Sequence, residues 1–178
     1  MREDLKEIIF TEEQIKERVG ELGAQISKDY AGKVPLFIGI LKGSFVFLAD
    51  LVRSIDIKCE IRFLIASSYG LSYLTSGTVR LGSELDFEIA GRDVIIVEDI
   101  LDSGITLSAT RKLISNNNPA SLKICTMLDK PARRQVPIDA EYVGFLCPDE
   151  FVVGYGLDFA ECYRNLPYVA SLKPEMYS

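Results

Sequence analysis

Three short, strongly apolar runs decide what this chain can fold into: Pro35–Leu41 (PLFIGIL), Asp93–Val97 (DVIIV) and Leu122–Leu128 (LKICTML). Each has the length of a strand, and none shows the strict alternation of a strand with one wet face. Strands of this kind need cover on both sides, as in a parallel sheet between layers of helices. The intervening segments supply those helices. Thr11 is placed as an N-cap with Gln14 as its capping-box partner, and Phe10 and Ile15 suit the hydrophobic staple around it. Ile15, Val19, Leu22 and Ile26 recur on one face, and Gly32 is a fitting stop. After the turn Leu41–Ser44, FVFLADLVRSI reads as a second helix with little polar surface. Asp102-Ser103-Gly104 opens a third, which runs to about Asn116 and is ended by Asn117 or Asn118 with Pro119 beyond.

The rest of the chain reads as shorter strands and loops. Ile57, Cys59, Ile61, Phe63 and Ile65 alternate with mostly polar residues, a half-buried strand. Ala66–Gly77, rich in Ser, Gly and Tyr, reads as a long loop of the kind that is often functional. Thr78–Leu81, Tyr142–Leu146, Glu150–Val153 and Tyr168–Leu172 are strand-like. Strands alternating with helices predict a three-layer α/β fold with a mainly parallel, twisted sheet. With 178 residues and no repeat or linker, the chain reads as one domain over residues 1–178.

Composition narrows the chemistry. There is no histidine, which excludes Ser-His-Asp and Cys-His catalysis, His-ligated zinc and imidazole proton shuttles. Acid–base work must fall to carboxylates, Lys, Tyr or Cys. The net charge of −6 disfavours general nucleic-acid binding, though not a local anion site. No run reaches the length of a membrane span, and the charged start MREDLKEIIF does not resemble a secretory signal. The four cysteines form no C-x-x-C pair, and a reducing cytoplasm is the expected setting.

The chemistry concentrates at Val94–Thr106, VIIVEDILDSGIT. A buried strand delivers its carboxyl end to a loop that becomes a helix, and ligands of open α/β sheets sit at such edges. The helix start offers backbone N–H groups for a phosphate, with hydroxyls from Ser103 and Thr106 and a close approach at Gly104. The acids Glu98, Asp99 and Asp102 would repel a phosphate unless they bind ribose hydroxyls or a hard cation such as Mg²⁺. A plainer role also fits: Asp102 and Ser103 as helix caps, and Glu98-Asp99 as a solvated strand end. The segment is no Walker A loop, and Gly154-Tyr155-Gly156 lacks the third glycine of a dinucleotide fingerprint.

VIIVEDILDSGIT resembles the signature of type I phosphoribosyltransferases: an apolar strand, two acids, then D-[ST]-G-x-T. Leu41-Lys42-Gly43 resembles that family's pyrophosphate loop. Leu128-Asp129-Lys130-Pro131 and Phe151–Asp158 (FVVGYGLD) resemble purine-binding segments of hypoxanthine or hypoxanthine-guanine phosphoribosyltransferases, nearer the bacterial form. The likeness runs from about Val34 to Pro167, in the family's order.

The resemblance implies a type I phosphoribosyltransferase fold with a small hood and a flexible loop. It implies a purine-salvage transferase acting on phosphoribosyl diphosphate with hypoxanthine or guanine. Glu98 and Asp99 would meet ribose hydroxyls and Mg²⁺, and Asp102 would face purine N7 as general base or proton carrier. Ser103, Gly104, Ile105 and Thr106 would hold the 5′-phosphate; Ile105 stands where some relatives carry Lys, and its N–H would still serve. Leu41, Lys42, Gly43 and Arg164 would bind diphosphate, and the peptide before the Lys is often cis in this family. Lys130 would donate to purine O6, Phe151 would stack on the base, and the Val152 backbone would pair with its polar edge. Asp158 would approach a second Mg²⁺ through water, and Ser68-Tyr69 would lie on a closing lid. A homodimer or homotetramer is expected, with no nucleic-acid or membrane partner. Two other readings compete: a phosphoribosyl-diphosphate sensor that regulates transcription or RNA, and the same enzyme with another base preference such as xanthine. Alone, Lys42, Lys130, Arg164, Phe151, Val152 and Tyr69 are ordinary surface or strand residues; together, in family order, they are not.

Overall fold

The three apolar runs become the middle of a five-stranded sheet, in the order β3-β2-β4-β5-β6. These strands are β2 (Leu36–Leu41), β3 (Glu60–Ile65), β4 (Asp93–Leu101), β5 (Ser121–Asp129) and β6 (Tyr142–Leu146). All four neighbouring pairs are parallel, with Phe37 opposite Ile95 and Val97 opposite Cys125. The computed structural model describes residues 1–65 and 87–177. The loop expected at Ala66–Gly77, with Ser68 and Tyr69, and the strand expected at Thr78–Leu81 lie outside the described residues.

The sheet is covered on both faces, which explains the absence of alternation in its central strands. One face packs Phe37, Ile95, Val97 and Cys125 against α1 (Glu12–Asp29) and α2 (Phe45–Arg53). The other packs Ile38, Ile96 and Ile124 against Leu107 and Ile114 of α3 (Ile105–Ser115). The layers are therefore helices, sheet and helix, as expected. The capping box of α1 forms in full: Gln14 N donates to Thr11 Oγ1 at 3.3 Å, and Thr11 N donates to Gln14 Oε1 at 2.8 Å. Ile15, Val19, Leu22 and Ile26 are buried, and Phe10 packs against the same cluster.

Three features depart from the sequence reading. Leu5–Phe10 is a strand, β1, which pairs antiparallel with β8 (Val169–Leu172). With β7 (Val152–Val153) it forms a second sheet, β1-β8-β7, the small hood of the expected fold. Half of β1 is exposed and none of it is buried, so its own pattern carries little signal; pairing with β8, distant in sequence, makes it a strand. Next, β4 runs on to Leu101, and α3 starts at Ile105 behind Gly104, so Asp102 and Ser103 form a loop between them. Last, Ile61, Phe63 and Ile65 on the edge strand β3 are exposed to 37%, 49% and 67%. Their alternation predicted a half-buried strand, yet what it presents among the described residues is an open apolar face.

Candidate active site

The carboxyl ends of β2 and β4 open into a cavity of about 410 Å³. Parallel strands all deliver their carboxyl ends to one edge, so two loops distant in sequence meet there. Leu41, Lys42 and Gly43 come from the end of β2. Glu98, Asp99, Asp102, Ser103, Gly104 and Thr106 come from β4 and the start of α3. Asp158 and Arg164 close the far side. Ile105, Lys130, Phe151 and Val152 do not line this cavity.

The floor is acidic and tightly built. The Leu41–Lys42 peptide is cis. A Cβ at Gly43 would overlap the Asp99 carboxylate, so glycine lets the Asp99 side chain lie where it does against the β2 loop. Asp99 Oδ1 accepts from Ile100 N at 2.8 Å, and Glu98 Oε1 accepts from Asp99 N at 3.3 Å. Burial pushes the Glu98 carboxyl well above its ordinary pKa, and the adjoining Asp99 charge adds to the rise. Asp102 Oδ1 is buried and has no hydrogen-bond partner among the described residues. A buried carboxylate oxygen without a protein partner is unusual and calls for a role such as catalysis or the binding of a water or ion.

Gly104 leads into α3 with φ 80, a conformation that strongly favours glycine, and Ser103 Oγ accepts from Ile105 N at 3.4 Å. The first N–H groups of a helix have no intrahelical partner, so this end can receive an anion. The loop before it is braced by Arg134, which the sequence reading missed. Arg134 Nη1 donates to Leu101 O and Asp102 O, each at 3.3 Å, while its Nη2 pairs with Asp129 at the end of β5. It stands outside every quoted motif, so nothing in the string of residues marked it.

On the far side Arg164 is anchored twice. Its Nη1 donates to Gly156 O at 2.8 Å, and its Nη2 lies 2.8 Å from Asp158 Oδ1. Its Nε is buried and unpartnered among the described residues. Gly156, which the sequence places in the FVVGYGLD segment without marking any contact for it, sets how these pieces meet. It has φ 100, and a Cβ there would strike the carbonyl oxygen of Gly43. Gly156→Ala is therefore expected to lower stability by about 2 kcal/mol, or roughly 6 °C in Tm, and to push the Lys42 loop out of place. Calorimetric melting of both proteins measures this; an unchanged Tm would contradict the packing described.

The residues expected around a base lie outside this lining. Lys130 Nζ donates to Glu150 O at 2.7 Å and lies 3.5 Å from Asp149 Oδ1, so it ties the end of β5 to the segment that carries Phe151. Phe151 stacks on Tyr177 with centroids 4.9 Å apart and meets Phe159 edge-on at 5.6 Å. Val152 is buried in β7.

Comparison with known proteins agrees with this geometry. The phosphoribosyl transferase domain family matches residues 7–160. The hypoxanthine-guanine phosphoribosyltransferase of Bacillus subtilis is 49% identical over 177 residues, covering 99% of this chain and 98% of that protein. The crystal structure of a hypoxanthine phosphoribosyltransferase from Staphylococcus aureus superimposes with a TM-score of 0.94 at 50% identity, covering 100% of this chain and 97% of that one. The bifunctional protein TilS/HprT of Listeria innocua is 48% identical over 178 residues, and there the chain spans 28% of the relative's length. With a family match over most of its length and relatives about half identical to it along the whole chain, the chain belongs to the phosphoribosyl transferase domain family, among the hypoxanthine-guanine phosphoribosyltransferases.

Proposed function

We propose that this chain, read as a single domain over residues 1–178, transfers the 5-phosphoribosyl group from phosphoribosyl diphosphate to hypoxanthine or guanine. The products are IMP or GMP and diphosphate. The observation that carries this reading is the shared cavity: four acids, an anion-receiving helix start, and Lys42 and Arg164 all line it. In this reading the α3 start, with Ser103, Gly104, Ile105 and Thr106, holds the 5′-phosphate. Glu98 and Asp99 take the ribose hydroxyls. Lys42, Arg164 and the backbone of Leu41–Gly43 hold the diphosphate. Asp102, with an unpaired oxygen, takes or carries the proton at purine N7. Charge that develops on the leaving diphosphate is then met by fixed cations.

The base is read by Lys130, Phe151 and Val152. Lys130 has three donors, and Glu150 O and Asp149 engage it from one side. A remaining donor would favour a 6-oxo over a 6-amino purine, since a mismatch leaves buried groups unpaired. A stacking contact to Phe151 and backbone pairing at Val152 complete the site.

The donor set suits Mg²⁺. Glu98 and Asp99 are adjacent in the cavity, while no three acids among the described residues close into a metal cage. Mg²⁺ is usually held by one or two carboxylates together with substrate phosphates. Bound there, it would supply positive charge to the ribose hydroxyls and diphosphate. Asp158, whose carboxylate also accepts from Glu161 N and pairs with Arg164, would approach a second Mg²⁺ through water.

A homodimer or homotetramer fits this reading. Burial against the sheet and α1 accounts for Phe47, Leu48 and Leu51 of α2, but Phe45 and the β3 side chains Ile61, Phe63 and Ile65 stay open to solvent. A cytoplasmic setting without a membrane or nucleic-acid partner belongs to the same reading, which the net charge of −6 favours over general nucleic-acid binding.

The test is a mixture of protein, Mg²⁺, phosphoribosyl diphosphate and each of four purines. Monophosphate is expected with hypoxanthine and guanine, and adenine should react at least ~10⁴-fold more slowly. No monophosphate from any base would refute the proposal.

A further inference from the structure

Both side chains assigned to the diphosphate are already in contact with an anion, and that anion belongs to the protein. Glu161 Oε2 lies 3.0 Å from Lys42 Nζ and 3.5 Å from Arg164 Nη2. Lys42 follows β2 and Arg164 follows β7, so the fold brings them together from distant parts of the chain. Both line the cavity, and one carboxylate oxygen bridges them from its rim.

The bridge is firmly presented. Phe159 and Cys162 exchange backbone hydrogen bonds, Phe159 N to Cys162 O at 3.2 Å and Cys162 N to Phe159 O at 3.0 Å. The two residues between them, Ala160 and Glu161, have φ 50 and 63, so the chain makes a tight two-residue turn of the kind that favours Asn-Gly. Glu161 N also donates to Asp158 Oδ2 at 2.9 Å. The turn fixes the backbone from which the carboxylate reaches. Lys42 holds that carboxyl below its ordinary pKa, so it is charged at neutral pH.

The two cations differ in how easily they can be freed. Arg164 keeps its bonds to Gly156 O and Asp158 if Glu161 leaves. The Lys42 and Glu161 side chains are 66% and 54% exposed, and such a pair is weak, screened by salt and open to competition by a polyanion. We infer that Glu161 is a built-in counter-anion of the diphosphate subsite, which the diphosphate must displace from Lys42 on binding and which re-forms the pair as diphosphate departs. This rests on the reading of the site given above.

Glu161→Gln keeps the size of the side chain and removes its charge. Titration calorimetry with diphosphate and Mg²⁺ should show the variant binding diphosphate about 3–10-fold more tightly than the wild type at low salt, with the gap closing at high salt. The KM for hypoxanthine should not move. In a Lys42→Met background the gain from the same change should shrink, because only the 3.5 Å contact of Glu161 with Arg164 is left to break. Circular dichroism melting checks that each variant is folded, and the exposed Glu161 side chain makes loss of the fold an unneeded explanation. Wild-type binding that Glu161→Gln leaves unchanged or weakens overturns this inference alone. A wild type that binds no diphosphate and makes no monophosphate overturns the reading of the site and this inference together.

Discussion

Asp102→Asn is expected to lower kcat by roughly 10²–10⁴-fold, the scale on which a positioned general acid or base contributes. Asn fills nearly the same volume and still offers an oxygen, but it cannot take up a proton. The loop around it should not move. Its backbone is held by Arg134 through Asp102 O, and the next carbonyl, Ser103 O, accepts from Gln135 N at 2.9 Å. The Oδ1 atom has no partner among the described residues, so exchanging the carboxylate for an amide breaks no bond at that atom. The variant should melt close to the wild type and retain its affinity for phosphoribosyl diphosphate. Steady-state rates with hypoxanthine, with KM for both substrates measured alongside, separate the cases. A proton role lowers kcat; a binding role raises KM for one substrate. A variant with near-full kcat would falsify the assignment of Asp102.

How far the sequence foretells this arrangement depends on how local the cause is. The capping box of α1 is legible because Thr11 and Gln14 satisfy each other three residues apart. The central strands are legible because burial on both faces leaves an apolar run that no other element of that length needs. The acids and the helix start are legible because one strand–loop–helix unit carries them all. What the sequence hides is what distant segments do to one another. β1 is a strand only because β8 pairs with it. Arg134 matters because it spans the ends of β4 and β5. Gly156 matters because it lies against Gly43, more than a hundred residues away. Glu161 matters because its turn brings it to Lys42. In the string of residues each of these is an ordinary side chain or a glycine in a loop. The Ile61, Phe63 and Ile65 alternation was read in the right period, but period says only that one face is apolar, not what covers it.

Glu98→Gln should move activity and stability in opposite directions. Glu98 is buried beside the Asp99 carboxylate, and the hydrogen bond it accepts from Asp99 N is long, at 3.3 Å. Both burial and the like charge raise its pKa in the folded protein. A raised carboxyl binds its proton more tightly folded than unfolded, so ionising it destabilises the fold. The wild type should therefore lose stability as pH rises through the ordinary carboxylate range, and stop losing it once pH passes the raised folded value. Gln does not titrate and does not repel Asp99. The variant should match the wild type at pH below the carboxylate range, then gain as pH climbs, reaching about 1 kcal/mol or roughly 3 °C in Tm. That comparison belongs in buffer with a chelator, since a bound cation would offset the same repulsion. Activity should fall by about 10–100-fold in kcat/KM, the loss of one hydrogen bond to a charged group. Melting curves across the pH range, paired with rates, test both halves. A Tm difference that is constant with pH would show that packing, not charge, separates the two proteins. A rise in stability with no fall in rate would remove Glu98 from the ribose site. The expected pattern, a site residue whose charge the fold tolerates at a loss, is what a binding pocket for a polyhydroxyl sugar and a cation requires of its acids.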